Sequence, residues 1–448
     1  MIMNFEIDSQ TLKDLEIFDT VKDGMSVFSL FNHTQCHGGR RVLYNYLSNP
    51  LTNIDTITER TKTIAFFQRH YPEGLKVDKN SLDFSEYYIR HQDFPARIPS
   101  RLTAFSRMLS DKLNTNAEYY FVKKGVESTV DLIKSINRFS RITTEIQTGD
   151  LPELLKRNNE EILKKLSSPE YAQILKLRSI RSYDSSKLDY MFRKTHKRDI
   201  TFFLDIIYQY DAFLSIAKAA KRLGLGYAEM TPSNENCFEI DGLYHPFVDK
   251  AIANDVRFEQ PSNLLFISGP NMAGKSTFLK ALGLSVYLAH VGFPVPAKRM
   301  KINILSGLCT TINISDNLNS GYSHFYAEVM RIKSVAHKLK TNRNMLVIFD
   351  ELFRGTNIKD AYDGTLAVVS AFTNIKSSFF VISSHIIEVT KELQANKGIE
   401  FAHFEILEEN GHPKYTYKLK EGISEIRLGM YIINKENLIE TINDINNN

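Results

Sequence analysis

The sequence predicts an all-α domain over residues 1–236, followed by an α/β domain with a mostly parallel sheet over residues 237–448. From about residue 9 to 230, Leu, Ile and Phe recur at three- and four-residue spacing among charged residues, and glycine is sparse, as is typical of helices. A polar, turn-rich stretch at 231–236 marks the boundary. Beyond it, short apolar runs alternate with helical patterns, which indicates a sheet covered on both faces.

The helical half divides at its glycines and prolines. Residues 26–51 predict two helical segments that are broken at Gly38 and Gly39 and end before Pro50. A helix over 54–68 follows, with Ile57, Ile64 and Phe67 on one side for packing. Further helices are predicted at about 119–141, 151–166 and 199–223.

Composition narrows the class of protein without naming a partner. With 448 residues, 43% of them hydrophobic, the chain can bury a core in two or three domains. Its net charge of +4 is too mild to prove a nucleic-acid partner. Cys36, Cys237 and Cys309 lack metal-ligand spacing and suit a reducing cytosol. Since the sequence has neither a signal-peptide start nor an apolar run of roughly 18 residues, we expect a soluble, cytoplasmic protein without a membrane partner.

A phosphate-binding loop is the strongest local motif. An apolar strand at 264–267 is followed by the stretch Gly269, Pro270, Asn271, Met272, Ala273, Gly274, Lys275, Ser276 and Thr277. Its glycines let backbone N–H groups face phosphate oxygens, and the helix that follows adds its positive dipole end. Lys275 would supply a charge between the outer phosphates, Ser276 would bind Mg²⁺ through its hydroxyl, and Thr277 would support the adjoining phosphate region.

Two later apolar strands end in residues that suit ATP hydrolysis. The strand at 345–349 leads into Asp350 and Glu351, which predicts carboxylates at the carboxyl edge of the sheet, beside the phosphates. Asp350 would hold Mg²⁺, and Glu351 would polarise the attacking water as general base. The strand at 379–382 is followed by His385, which could sense or orient that water. These residues predict an ATPase with Mg²⁺ as its cofactor.

A basic stretch at 176–198 carries eight Lys or Arg residues against two Asp residues. Such a cluster could contact the phosphate backbone of DNA, although a solvated helix face plus a loop is the favoured explanation. The candidate DNA contacts are Arg178, Arg181, Arg193, Lys194, Lys197 and Arg198.

The stretches 269–277 and 346–356 resemble the MutS family of DNA mismatch-repair ATPases, and the Pro270-Asn271-Met272 segment makes the resemblance specific. It implies an ABC-like P-loop (Walker A) ATPase domain that follows a helical core or lever domain. Residues 316–328 resemble the signature segment of the family, which implies a homodimer through the ATPase domains with Ser323 reaching the γ-phosphate of the partner's ATP. The resemblance also makes Ile252 and Asn254 candidate adenine contacts and Tyr417 a candidate stacking ring.

The sequence also departs from the family pattern. The chain begins at the lever domain, so we expect a short form without the mismatch-recognition and connector domains and with a reduced DNA clamp at most. Ala273 replaces a usual glycine and should be tolerated only with a negative φ.

Two functions stay open at this stage. One is a DNA-binding ATPase of repair or recombination, possessing a repair-protein partner, in which ATP hydrolysis moves the levers. The other is a nucleotide-gated scaffold that recruits a protein and does not bind DNA. A small-molecule kinase is disfavoured because no acceptor-binding lid is evident.

Overall fold

The computed structural model describes residues 4–18, 24–71, 78–91, 117–146, 151–180, 182–233, 237–270, 272–312, 324–409, 412–424, 438–439 and 442. Within this part of the chain the helices are α1 Ser9–Asp14, α2 Val27–Phe31, α3 His37–Ser48, α4 Ile54–His70, α5 Lys79–Arg90, α6 Ala117–Glu145, α7 Glu153–Leu166, α8 Pro169–Lys176, α9 Ser182–Tyr190, α10 Lys197–Leu223, α11 Lys275–Val291, α12 His324–Thr341, α13 Ile358–Thr373 and α14 Glu388–Leu393, with a π-helix at Met191–Thr195. The strands are β1 Ala228–Thr231, β2 Phe238–Leu243, β3 Asn254–Arg257, β4 Leu264–Ser268, β5 Arg299–Asn303, β6 Gly307–Thr311, β7 Met345–Asp350, β8 Phe379–Ser384, β9 Ile399–Glu409 and β10 His412–Glu421.

The chain divides into two compact units. The first, called here the α/β unit, comprises Met1–Val27, Pro50–Thr58 and Gly224–Asn448. The second, the helical unit, comprises Phe28–Asn49 and Glu59–Leu223. This division differs from the single boundary expected at residue 236, because two early segments belong with the α/β unit.

The six-stranded sheet of the α/β unit has the order β10-β9-β4-β8-β7-β6. All neighbouring pairs from β9 to β6 are parallel, and β10 is an antiparallel edge strand. Strands β4, β7 and β8 are buried along their whole length, as expected of parallel strands covered on both faces. The three strands predicted from apolar runs are therefore confirmed, and their carboxyl ends meet at one edge of the sheet.

A second sheet, with the order β1-β5-β2-β3, was not expected from the sequence. Its β1–β5 pair is parallel, whereas the β5–β2 and β2–β3 pairs are antiparallel. Strand β3 runs from Asn254 to Arg257, and Asn254 lines the candidate site described below. These strands are short and mix polar with apolar residues, so no continuous apolar run marks them in the sequence.

The N-terminal segment is attached to the α/β unit by two carboxylates, Asp14, which is buried, and Asp8, which is partly buried. Asp14 accepts hydrogen bonds from the Thr310 hydroxyl at 2.8 Å and from the Ile312 backbone N–H at 2.9 Å. Asp8 pairs with Arg331 of α12 at 2.6 Å and with Lys338 at 2.9 Å. Burial opposes the charge of Asp8, but the hydrogen bonds from these two cations outweigh burial and hold its pKa well below the usual range. These contacts explain why residues near the start of the chain fold with its second half.

In the helical unit, the predicted helix break at Gly38 and Gly39 is wrong. Helix α3 starts at His37, so both glycines lie inside its first turn and the break falls earlier, at residues 32–36. A Cβ at Gly38 would lie 2.4 Å from the Tyr208 ring, and one at Gly39 would lie 2.1 Å from Asp211 Oδ2. The glycines are thus present for close helix packing rather than for a turn.

Helix α10 has the length and apolar composition of a membrane span, which the sequence inspection did not anticipate. Most of its apolar window is buried inside the protein. Burial of this kind is typical of the central helix of a helical domain, where all faces contact neighbouring helices.

Candidate functional site

The loop after β4 folds as the spacing of its glycines requires. Gly269 and Gly274 have φ values of 141° and 105°, which are favourable for glycine, and α11 begins directly afterwards at Lys275. Met272 also has a positive φ, of 69°. Ala273 is buried and its φ is not positive, so an alanine in place of the usual glycine causes no backbone strain. Asn271 lies outside the described residues.

Lys275 is buried, and its ammonium group is held inside this loop. Its Nζ donates to the backbone oxygens of Gly269 at 2.6 Å and Pro270 at 3.0 Å. The same atom lies 3.6 Å from Glu351 Oε1. Burial lowers the pKa of Lys275, an effect that the neighbouring carboxylates of Glu351 and Asp350 oppose.

Asp350 joins the loop helix to the neighbouring strand. Its Oδ2 accepts a hydrogen bond from the Ser276 hydroxyl, and its Oδ1 accepts one from the Ser383 hydroxyl of β8. The carboxylate is buried, so these contacts fix its orientation. A serine hydroxyl beside a carboxylate offers the hard oxygen ligands that Mg²⁺ prefers.

Ser276 and Asp350 offer only a small number of protein oxygen ligands. This number suits Mg²⁺ better than a metal ion whose ligands all come from the protein. Among the residues that the structure describes, no group of three or more His, Cys, Asp and Glu side chains could hold a metal ion. Mg²⁺ usually keeps several waters and binds through one or two protein ligands together with substrate phosphates.

Glu351 is held by several basic side chains. Its Oε2 lies 2.7 Å from Arg354 Nε and 3.6 Å from His385 Nδ1, and its own φ is 57°. Its backbone N–H donates to the Ser383 carbonyl at 3.1 Å. Burial raises the pKa of Glu351, but His385, Arg354 and Lys275 outweigh burial and lower it to about 2. Glu351 is therefore ionised at neutral pH.

A cavity of about 670 Å³ brings the predicted residues together. Its lining includes Gly274, Lys275, Ser276 and Thr277 from the loop and helix, and also Glu351. The candidate adenine contacts line the same cavity: Ile252, Asn254 and Tyr417. A concave site of this volume, with apolar and charged walls, has the dimensions of a small-ligand pocket.

Some predicted residues are placed differently or not at all. His385 contacts Glu351 but is absent from the cavity lining, and about half of its side chain is exposed. Ser323 and Arg181 lie outside the described residues. Arg178, Lys194, Lys197 and Arg198 are exposed on the helical unit.

The proposed DNA contact at Arg193 is wrong. Its guanidinium is buried and pairs with Asp189 at 2.7 Å, with its centre 5.3 Å from the Tyr88 ring. The Tyr88 hydroxyl donates to the same carboxylate at 2.7 Å. Arg193 therefore belongs to a buried polar network, and a charge count along the sequence cannot distinguish it from its exposed neighbours.

Sequence reasoning missed Arg354 and Ser383. Arg354 follows Glu351 by three residues, and Ser383 directly follows the apolar run at 379–382, so both are polar residues at the predicted sheet edge. The partner of Ser383 follows from the pairing of β7 with β8, which aligns Asp350 with Ser383. Arg354 pairs with Glu351 along the chain.

Two family models match the chain: MutS domain III over residues 10–223 and MutS domain V over residues 265–447. A DNA mismatch repair protein MutS from Wolbachia pipientis wMel is 33% identical over 198 residues, 44% of this chain and 23% of the relative. The MutS of Persephonella marina is 29% identical over 236 residues, 52% of this chain and 27% of the relative. The MutS of Listeria innocua is 30% identical over 209 residues, 45% of this chain and 24% of the relative.

Each match thus spans about a quarter of the relative's length. The two family models together account for most of this chain, and they match it in the order of its helical and α/β parts. The chain belongs to the MutS family.

Proposed function

We propose that this chain is a MutS-type ATPase that binds ATP in the 670 Å³ cavity and hydrolyses it with Glu351. The observation that carries the proposal is the convergence of the phosphate loop, Asp350 with its Ser276 contact, and the ionised Glu351 at one edge of the parallel sheet. Membership of the MutS family supports the same function, since the resemblance of residues 269–277 and 346–356 to that family implies a P-loop ATPase. A small-molecule kinase is not favoured, because Glu351 suits activation of water.

Binding would divide the cavity between the two ends of the nucleotide. The amides of the loop from Gly269 to Gly274 and the Lys275 ammonium would hold the phosphates, with the N-terminus of α11 adding positive potential. Ile252 and the Tyr417 ring would contact the adenine. Ser276 and Asp350 would hold Mg²⁺, which when bound would neutralise phosphate charge.

Glu351 would act on the attacking water. A carboxylate with a pKa of about 2 is ionised at neutral pH and accepts a hydrogen bond from water, which orients the water for in-line attack. Its low basicity means that it polarises the water more than it removes a proton completely before attack. His385, 3.6 Å from the same carboxylate, would help to hold its orientation.

The assembly that we propose is a homodimer of α/β units in the cytoplasm. Ser323 would reach the partner's nucleotide, and nucleotide state would move the helical lever unit on DNA or a repair protein. The described cysteines form no disulfide, in keeping with a reducing compartment.

The test of the enzymatic proposal is Glu351→Ala in purified protein. We expect ATP to bind, because the phosphate loop is intact, and phosphate release to fall by roughly 100-fold or more, because the positioned base is lost. Phosphate release and equilibrium ATP binding are measured together. Lys275→Ala should instead lose ATP affinity, and Glu229→Ala, which removes an exposed carboxylate of the same unit, should behave as wild type. Unchanged turnover in Glu351→Ala would overturn the assignment.

A further inference from the structure

The side chain of Asn254, the first residue of β3, joins that strand to β10 across more than 160 positions of sequence. Its Nδ2 donates to the Tyr417 carbonyl at 3.0 Å, and its Oδ1 accepts from the Leu419 N–H at 2.7 Å. Nδ2 also lies 3.3 Å from the Ile252 carbonyl. The donors and acceptors on the backbone fix which end of the amide carries the hydrogens.

The segment that Asn254 holds is irregular and presents the Tyr417 ring. The pairing of β9 with β10 shifts register between Tyr415 and Leu419, and Tyr417 has a φ of 56°. About half of Tyr417 is exposed, and the residue lines the candidate nucleotide cavity. A Cβ at Gly274 would lie 3.2 Å from Tyr417 Cδ1, so the ring lies against the phosphate loop.

A non-glycine residue with positive φ in an interrupted ladder is costly and needs contacts that stabilise it. Asn254 makes two hydrogen bonds to this segment, one to Tyr417 inside the bulge and one from Leu419, where the ladder resumes, and its side chain is largely buried. Both hydrogens of its amide are already engaged by backbone carbonyls, at Tyr417 and Ile252. These bonds leave Asn254 without a spare N–H for a nucleotide base.

We infer that Asn254 is a positioning residue for base recognition: it acts through Tyr417, whose ring it holds in the cavity, and does not contact the base itself. This inference rests on the proposed function, in which Tyr417 stacks on adenine. It replaces the direct adenine contact expected of Asn254 and assigns its amide to the bulge.

The first test compares ATP kinetics for wild type, Asn254→Ala and Asn254→Asp. Aspartate keeps the acceptor for the Leu419 N–H but places a second acceptor against the Tyr417 carbonyl, so both variants should misplace the ring. We expect KM for ATP to rise by roughly 5- to 100-fold, the range for loss of one base–aromatic stack, with kcat at saturation changing less than about twofold. Lys418→Ala, an exposed neighbour in the same bulge, should match wild type.

The second test is a double-mutant cycle with Tyr417→Ala, read out as ADP affinity by calorimetry so that hydrolysis does not interfere. If Asn254 acts through the ring, the double variant should bind ADP about as weakly as Tyr417→Ala alone. Multiplicative losses would show a direct and independent contact, and would overturn the inference. Should Asn254→Ala fail to fold, Asn254→Asp, which has the same shape, takes its place in the cycle. Failure of the wild-type protein to bind ADP or ATP would overturn the proposed function itself.

Discussion

At the scale of the residue, Glu351 shows how a buried carboxylate keeps its charge. Its side chain is largely buried, which alone would favour the neutral form, yet Arg354, Lys275 and His385 surround it. The result is a pKa of about 2, against an ordinary value of 4.5. Because the folded state holds the proton less tightly than the unfolded chain does, this charge stabilises the fold above pH 4.5.

The stabilisation should be lost as the pH falls from 4.5 towards 2. Replacement by Glu351→Gln removes the titrating group, so the variant should lose less stability than wild type between pH 5 and pH 3, by about 1–2 kcal/mol. Urea unfolding at the two pH values measures the difference. Glu229→Gln, an exposed control in the same unit, should show the wild-type loss. An equal loss in Glu351→Gln and wild type would contradict the low pKa.

How well the site could be predicted from the sequence follows from the kind of contact involved. The loop from Gly269 to Thr277 and the acids Asp350 and Glu351 follow from short spacings, because a strand, a turn and a helix start are local. Their positions at one sheet edge then follow from parallel pairing. The contacts of Ser383 and of Asn254 depend on register between distant strands, which local periodicity does not encode. Arg354 pairs with Glu351 only three residues away, but spacing alone does not predict that contact.

At the scale of the element, the N-terminal segment is the largest departure from expectation. Asp14 of the six-residue helix α1 contacts residues nearly 300 positions later, at the end of β6. Neither composition nor periodicity predicts such pairing, because a short polar segment has the same sequence pattern whichever domain it packs against. The predicted strands succeeded for the opposite reason, since β4, β7 and β8 are uniformly apolar and buried.

The contacts of Asp14 lead to a prediction about stability. Asp14→Ala should destabilise the α/β unit by about 2–4 kcal/mol, because it removes a buried carboxylate and leaves its donors, among them the Thr310 hydroxyl, the Ile312 N–H and the Gln10 amide, without that acceptor. Urea or thermal unfolding of the purified protein measures the loss. Lys13→Ala, one residue away and exposed on the same helix, should change stability by less than about 0.5 kcal/mol. Equal stability of the two variants would show that the segment is not held by its carboxylates.

At the scale of the whole molecule, the chain passes between its two units at residues 27–28, 49–50, 58–59 and 223–224. Helix α11 is tied to two of the segments that approach these crossings: Lys280 pairs with Glu16 at 2.9 Å, and His290 Nδ1 lies 2.8 Å from the Leu51 carbonyl. The helix that starts at the phosphate loop therefore contacts the connections towards the helical unit.

Exposed cations on the helical unit allow DNA binding to be tested against protein recruitment. Replacing Lys194, Lys197 and Arg198 by Gln should weaken duplex DNA binding and reduce its dependence on salt, since each lost phosphate contact lowers the log–log slope by about 0.9. Fluorescence polarisation from 50 to 200 mM salt measures both. The matched control replaces Lys156, Arg157 and Lys164, which are exposed on α7, and changes net charge equally. Equal weakening of DNA binding in both variants would show that the effect depends only on the overall charge of the protein. If the wild-type protein binds no DNA at low salt, DNA is excluded as the partner, and ATP-dependent pull-down would then test recruitment of another protein.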